Sequence, residues 1–230
     1  MQSYASRIKD WPETERPRER LMNSGPDALS DAELLGIILR TGNRRSSAMD
    51  LARQLLDEFG GLRGLDTQPA LALCDVHGIG IAKAAQIKSA LELAKRLVQQ
   101  QWNSKERISG SDEAYKYVRL RMRDLQREEF RTIFLTTRNE IIAEKTLFEG
   151  SLTESVVSPR EIILSAVQLA AASVILLHNH PSGDPSPSRE DKRVTEKLAM
   201  ACRYADISVL DHIIVGKDSY FSFADEGLLS

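Results

Sequence analysis

A near-continuous apolar run, Ala170-Ala171-Ala172-Ser173-Val174-Ile175-Leu176-Leu177, leads straight into His178-Asn179-His180 and then into a loop rich in Pro, Gly and Ser. A run of this length that stops at turn residues predicts a buried strand ending at His178. Residues two apart on a strand share a face, so the two imidazoles converge at the strand's end. Asp191, with ten residues between it and His180, returns on the following segment and completes a set of three ligands. Two His and one Asp leave a tetrahedral zinc ion one open position, the arrangement of a catalytic site.

The elements around this run predict an α/β domain. Ser111-Asp112-Glu113-Ala114 starts a helix with apolar positions at Ala114, Tyr117, Val118, Leu120 and Met122. Phe130 to Leu135 and Ile141 to Phe148 read as a hairpin about the turn Thr136 to Glu140. Val156-Val157 is extended, and Pro159 opens a helix to Leu169. Ser188 opens another through Val194, Leu198 and Cys202. Ile207 to Leu210, Ile213 to Val215 and Tyr220 to Phe223 continue the sheet. Helices alternating with strands around one sheet define the class.

The first hundred residues read as wholly helical. The polar stretch Asp10 to Arg20 is expected to be an arm or cap. Ser30 is an N-cap with Glu33 three residues on, and its helix runs to Gly42. Ser47 to Phe59 is a second helix, closed by Gly60-Gly61, and further helices cover Pro69 to Cys74 and Ala82 to Val98. Gln99 to Ser111 breaks the pattern, which places a domain boundary there: residues 1–101 form one domain and 102–230 the other.

Charge excludes one broad class. Residues 1–101 carry 14 Lys+Arg and 13 Asp+Glu, and residues 102–230 carry 17 and 20, so neither half is a polybasic nucleic-acid binder. No apolar signal region and no membrane-length apolar run is present. Cys74 and Cys202 are isolated and read as buried free thiols, which suits a reducing cytoplasm.

The string from His178 to Asp191 resembles the JAMM motif of MPN-type metalloproteases, His-x-His-x10-Asp with a Ser three residues before the Asp. With Val157-x-Pro159-Arg160-Glu161 before it and Leu210-Asp211-His212-Ile213-Ile214-Val215 after it, the string is similar to the RadC-like family. The resemblance covers nearly the whole chain. It implies a three-layer α/β domain like that of cytidine deaminases, one Zn²⁺ per chain on His178, His180 and Asp191, and two catalytic residues. One is a glutamate general base, Glu128 on the family's Glu-x-Phe pattern, with Glu129 as the rival one register away. The other is Ser188, donating to an oxyanion.

The amino-terminal segment Val76-His77-Gly78-Ile79-Gly80-Ile81-Ala82-Lys83 resembles a helix-hairpin-helix element. That likeness implies a DNA-phosphate contact by Gly78, Gly80 and Lys83 at a helix N-terminus; the plainer reading is a tight turn whose glycines serve backbone angles alone. His77 reads as a surface turn residue.

Other residues carry more than one reading. Ser188 to Asp191 is also a capping box. Asn179 is expected to be a loop hydrogen-bonder and Asp184 a turn residue. His212 supports a ligand, contacts substrate or is structural, and Arg160 either opens a helix or approaches the cleft. Together these features predict a cytoplasmic, zinc-dependent hydrolase acting on a peptide or protein amide or isopeptide bond. The alternative is a DNA-associated repair factor or nuclease.

Overall fold

A computed structural model describes residues 8–100, 107–150 and 157–229. The chain divides into two compact units between Leu97 and Val98. The boundary expected after residue 101, with Trp102 to Lys105, and the extended residue Val156 lie outside the described residues.

The first unit is helical. The segment expected to be a polar arm includes a helix, α1 (Pro17–Ser24), with Pro17 in its first turn where a missing N–H costs nothing. Both α2 (Asp31–Leu39) and α3 (Ala48–Phe59) begin with reciprocal capping boxes, Ser30 with Glu33 and Ser47 with Asp50. Helix α2 ends at Arg40, in the left-handed region at φ 63°, rather than at Gly42. Gly42 is needed for closeness instead: a Cβ there would lie 1.9 Å from the Ser46 carbonyl oxygen. Two short helices follow, α4 (Leu62–Thr67), which no cap or periodicity in the sequence marks, and α5 (Ala70–Leu73). The long α6 (Ile81–Gln100) closes the unit. Leu35, Leu39, Leu51, Leu55, Leu65, Leu73, Ile79 and Ile87 form its core, each contributing about 1.5–3 kcal/mol by leaving water.

The second unit is a three-layer α/β domain. Among the described residues its five strands are β1 (Glu129–Leu135), β2 (Ile141–Glu149), β3 (Ser173–Asn179), β4 (Ser208–Val215) and β5 (Tyr220–Ser222), in the order β2-β1-β3-β4-β5. β1 is antiparallel to both β2 and β3, whereas β3 and β4 are parallel. Helix α7 (Ser111–Met122) covers one face over Ile133, Leu135, Ile175, Leu177, Ile213 and Val215. Helices α8 (Pro159–Gln168) and α9 (Arg189–Tyr204) cover the other over Phe130, Phe134, Val174 and Leu176. This sandwich explains the unbroken apolar run, because every residue of β3 is buried.

Two boundaries differ from expectation. β3 begins at Ser173, because Ala170 takes φ 51° and ends α8 there, with the Ala171 amide donating back to the Ala166 carbonyl. The two apolar segments of 207–215 are one strand, irregular near Leu210, where the register with β3 shifts between Val174 and Ile175. Helix α9 is the crossover between parallel strands β3 and β4. Its N-terminus therefore returns to the carboxyl end of β3, where open α/β sheets place their sites.

Candidate metal centre

Period-two alternation puts His178 and His180 on the α9 side of β3 at its last turn. The first turn of α9 brings in Asp191. His178 is fully buried and Asp191 is 3 % exposed. His178 Nε2 lies 3.0 Å from His180 Nε2 and 3.2 Å from Asp191 Oδ1, and His180 Nε2 lies 3.5 Å from Asp191 Oδ2. Ligand atoms about 2.0–2.1 Å from a tetrahedral zinc ion stand roughly 3.3 Å apart, so this triangle has the size and donor chemistry of such an ion. The group meets the spacing required of a metal site among the described residues.

Capping and ligation are compatible. The Ser188 amide donates to Asp191 Oδ2 at 2.7 Å, and the Asp191 amide donates to Ser188 Oγ at 3.1 Å. The box holds the carboxylate through Oδ2, which also lies near His180, and leaves Oδ1 facing His178. Burial opposes the Asp191 charge, but the imidazoles of His178 and His180 facing the carboxylate outweigh it and hold the group far below the usual carboxylate range. Burial also works against charge on His180, yet the nearby Asp191 carboxylate and the Asp184 carbonyl raise its pKa above 6.5. In the fully buried His178 burial wins, and its pKa is lowered.

The loop after His180 orients that ring. The Gly183 amide donates to the His180 carbonyl, and the Lys217 amide donates to the Gly183 carbonyl. The loop then turns so that the Asp184 carbonyl sits 2.7 Å from His180 Nδ1. Asp184 is the turn residue expected, its carboxylate accepting from the Ser186 amide at 2.9 Å. Its main-chain oxygen, a role that side-chain motifs do not reveal, is what holds His180.

Glu128 is half-buried immediately before β1, and its charge is a minor influence that favours the protonated forms of His178 and His180. Glu129 is engaged elsewhere: its Oε2 accepts from Arg131 Nη2 at 2.6 Å and Nε at 2.9 Å. The neighbours of Glu128 are gripped by Asn179, which is 1 % exposed. Asn179 Nδ2 donates to the Arg127 carbonyl at 3.0 Å, and its Oδ1 accepts from the Glu129 amide at 2.8 Å. Ser188 is exposed beside the site. Arg160 is exposed in the first turn of α8.

His212 is buried against His178. Its Nε2 lies 2.9 Å from His178 Nδ1, and its Nδ1 lies 2.6 Å from Thr195 Oγ1. Phe223 stacks on it at 5.0 Å between centroids, and Phe130 meets it edge-on at 5.6 Å. Burial, followed by the neighbouring His178, holds its pKa well below 6.5. The i,i+4 spacing of Asp191 and Thr195 on α9 was the one sequence signal for this partnership.

In the helical unit Gly78 takes φ 97°, and Gly80 precedes the first turn of α6. Lys83 Nζ donates to the carbonyls of Gly78 at 2.9 Å and Gly42 at 3.2 Å, so its ammonium closes the hairpin against the 40–47 loop. Asn43 Nδ2 ties the same loop to the His77 carbonyl. His77 is exposed, as expected of a turn residue. Cys202 is buried, its thiol pushed up to about 11 by that burial, whereas Cys74 is half-buried rather than fully so. No helix among the described residues is long and apolar enough to cross a membrane.

Comparison with known proteins separates the same two regions. Residues 108–228 match the model of the RadC-like JAB domain, and residues 8–85 match the UPF0758 N-terminal model. The chain is 47 % identical over 224 residues to a UPF0758 protein of Geotalea uraniireducens, covering 96 % of this chain and 98 % of the relative. It is 48 % identical over 223 residues to one of Methanosarcina mazei, covering 97 % of each. A third, from Nitrosospira multiformis, is 46 % identical over 222 residues, 96 % of this chain and 99 % of the relative.

Proposed function

The chain belongs to the RadC-like JAB-domain family, and on that premise we propose that it is a zinc-dependent hydrolase that cleaves an amide or isopeptide bond. The observation that carries this reading is the convergence of two imidazole nitrogens and a carboxylate within 3.0–3.5 Å.

A zinc ion held by His178, His180 and Asp191 would supply the charge that polarises a carbonyl and brings the ionisation of water down to about neutral pH. Glu128 takes the proton of the attacking water as the C–O bond forms. It returns that proton to the nitrogen as the C–N bond breaks. Ser188 Oγ accepts from the Asp191 amide, which leaves its own hydrogen to donate to the oxyanion. Asn179 fixes the backbone on either side of Glu128, which limits the reorganisation its carboxylate needs. A peptide or protein is the substrate class, and the free thiols of Cys74 and Cys202 suit a reducing cytoplasm. The DNA-associated alternative, acting through Gly78, Gly80 and Lys83, draws less support because the Lys83 ammonium is already bonded to two carbonyls of its own unit.

The test is incubation of the zinc-reconstituted wild type, Glu128→Gln and His178→Ala with peptide and isopeptide libraries, new termini being read by mass spectrometry. Cleavage by the wild type that both variants lack supports the proposal. Equal cleavage by Glu128→Gln, or cutting of phosphodiesters but of no amide, contradicts it.

A further inference from the structure

The hydrogen-bond chain behind His178 has a direction, and that direction is set by an atom that can only accept. The Asp191 main-chain carbonyl lies 2.6 Å from Thr195 Oγ1, a separation that requires a proton between the two oxygens. That proton belongs to the Thr195 hydroxyl, so the hydroxyl oxygen is left as an acceptor for His212 Nδ1, also 2.6 Å away. A neutral imidazole carries one donor and one acceptor. With its proton on Nδ1, His212 presents a lone pair at Nε2, and His178 Nδ1, 2.9 Å away, must donate to it. The one lone pair remaining on His178 is then at Nε2, the atom that faces His180 and Asp191.

We propose that Thr195 and His212 are positioning residues that lock His178 in the Nδ1–H tautomer and so keep its Nε2 open for a metal ion. The competing tautomer is a real one. With the chain reversed, His178 would carry its proton on Nε2 and donate it to Asp191 Oδ1, 3.2 Å away, filling the place of the ion with hydrogen. Reversal would also leave Thr195 Oγ1 and the Asp191 carbonyl as two facing acceptors at 2.6 Å. Asp191 therefore acts twice: its side chain joins the ligand set, and its main chain, four residues before Thr195 on α9, orients the imidazole that completes the set. Thr195 and His212 are 1 % and 0 % exposed, so water does not scramble the order.

This inference rests on the metal-site reading, not on any substrate. Its test uses the full chain with Thr195→Val, which removes the hydroxyl at nearly constant shape, and Thr195→Ser, which keeps it. Long-range ¹H–¹⁵N correlation spectra of the metal-free wild type are expected to show both His178 and His212 as Nδ1–H tautomers. Zinc affinity, measured by chelator competition, is expected to fall about 10–100-fold in Thr195→Val and to return in Thr195→Ser. An Nε2–H tautomer at His178 in the wild type overturns the proposal, as does wild-type zinc affinity in a folded Thr195→Val. If Thr195→Val does not fold, the wild-type spectra decide. If the wild type binds no zinc, the metal reading fails while the spectra still report the tautomer.

Discussion

The side-chain oxygen of Asn179 accepts a hydrogen bond from the backbone amide of Glu129 at 2.8 Å. Its amide group donates to the Arg127 carbonyl at 3.0 Å, so one buried side chain spans the peptide groups around Glu128. Asn179→Ala leaves both backbone groups unpaired and is expected to cost about 2–4 kcal/mol, seen as a lowered thermal transition. Asn179→Asp keeps the acceptor and loses the donor. Its carboxyl can bond the Arg127 carbonyl only when protonated, so its folded pKa is raised. The variant should approach wild-type stability in acid and lose stability as pH rises through that value.

Metal affinity should fall on acidification from a higher pH than a free imidazole would dictate. His180 is held above 6.5 because the nearby Asp191 carboxylate and the Asp184 carbonyl outweigh its burial, and ligation requires its neutral form. Below that raised value each pH unit should weaken zinc binding about tenfold. In the metal-free protein the sign reverses. The His180 contribution to stability is full below about pH 6.5, its unfolded value, and is lost as pH rises through the folded one. Chelator competition at pH values on either side of 6.5 checks the first statement and thermal denaturation the second.

Ser188 combines a capping role with the proposed catalytic one, and substitution separates them. Ser188→Ala removes the N-cap of α9 at a cost of about 1 kcal/mol and is expected to lower kcat about 10²–10³-fold. Ser188→Thr keeps both groups. A kcat in Ser188→Ala equal to that of Ser188→Thr would leave Ser188 a cap alone.

Lys83 is expected to matter for the stability of its unit rather than for DNA. Lys83→Met removes two ammonium-to-carbonyl bonds, at a cost of about 1–3 kcal/mol. Salt-dependent binding of the full chain to labelled duplex should be the same in variant and wild type. A reduced salt slope in Lys83→Met would restore the phosphate reading.

What the sequence made legible follows from local rules. His178, His180 and Asp191 could be grouped because strand alternation and a helix cap are short-range regularities, and the two sheet-covering layers follow from the unbroken apolar β3. Ala170 and Arg40 escaped notice because left-handed closure at a non-glycine residue is imposed by packing, not by side-chain type. The Thr195–His212 link was only half visible. Asp191 and Thr195 share a helix face, but His212 reaches them from β4 across a parallel pairing whose irregular register no local pattern specifies. The Asp184 carbonyl acts through a backbone atom, which carries no residue signature, and the Asn179 side chain, expected to hydrogen-bond, finds partners in the Arg127 and Glu129 backbone that its type does not specify.

The central claim is that His178, His180 and Asp191 together hold one metal ion. It is tested most directly by the zinc content of dialysed protein, with circular dichroism verifying the fold of each variant. About one zinc per wild-type chain, lost in His178→Ala, His180→Ala and Asp191→Ala alike, is the result predicted from the donor triangle. A folded wild type that binds no zinc in excess metal, or folded variants that bind as much as the wild type, would contradict it.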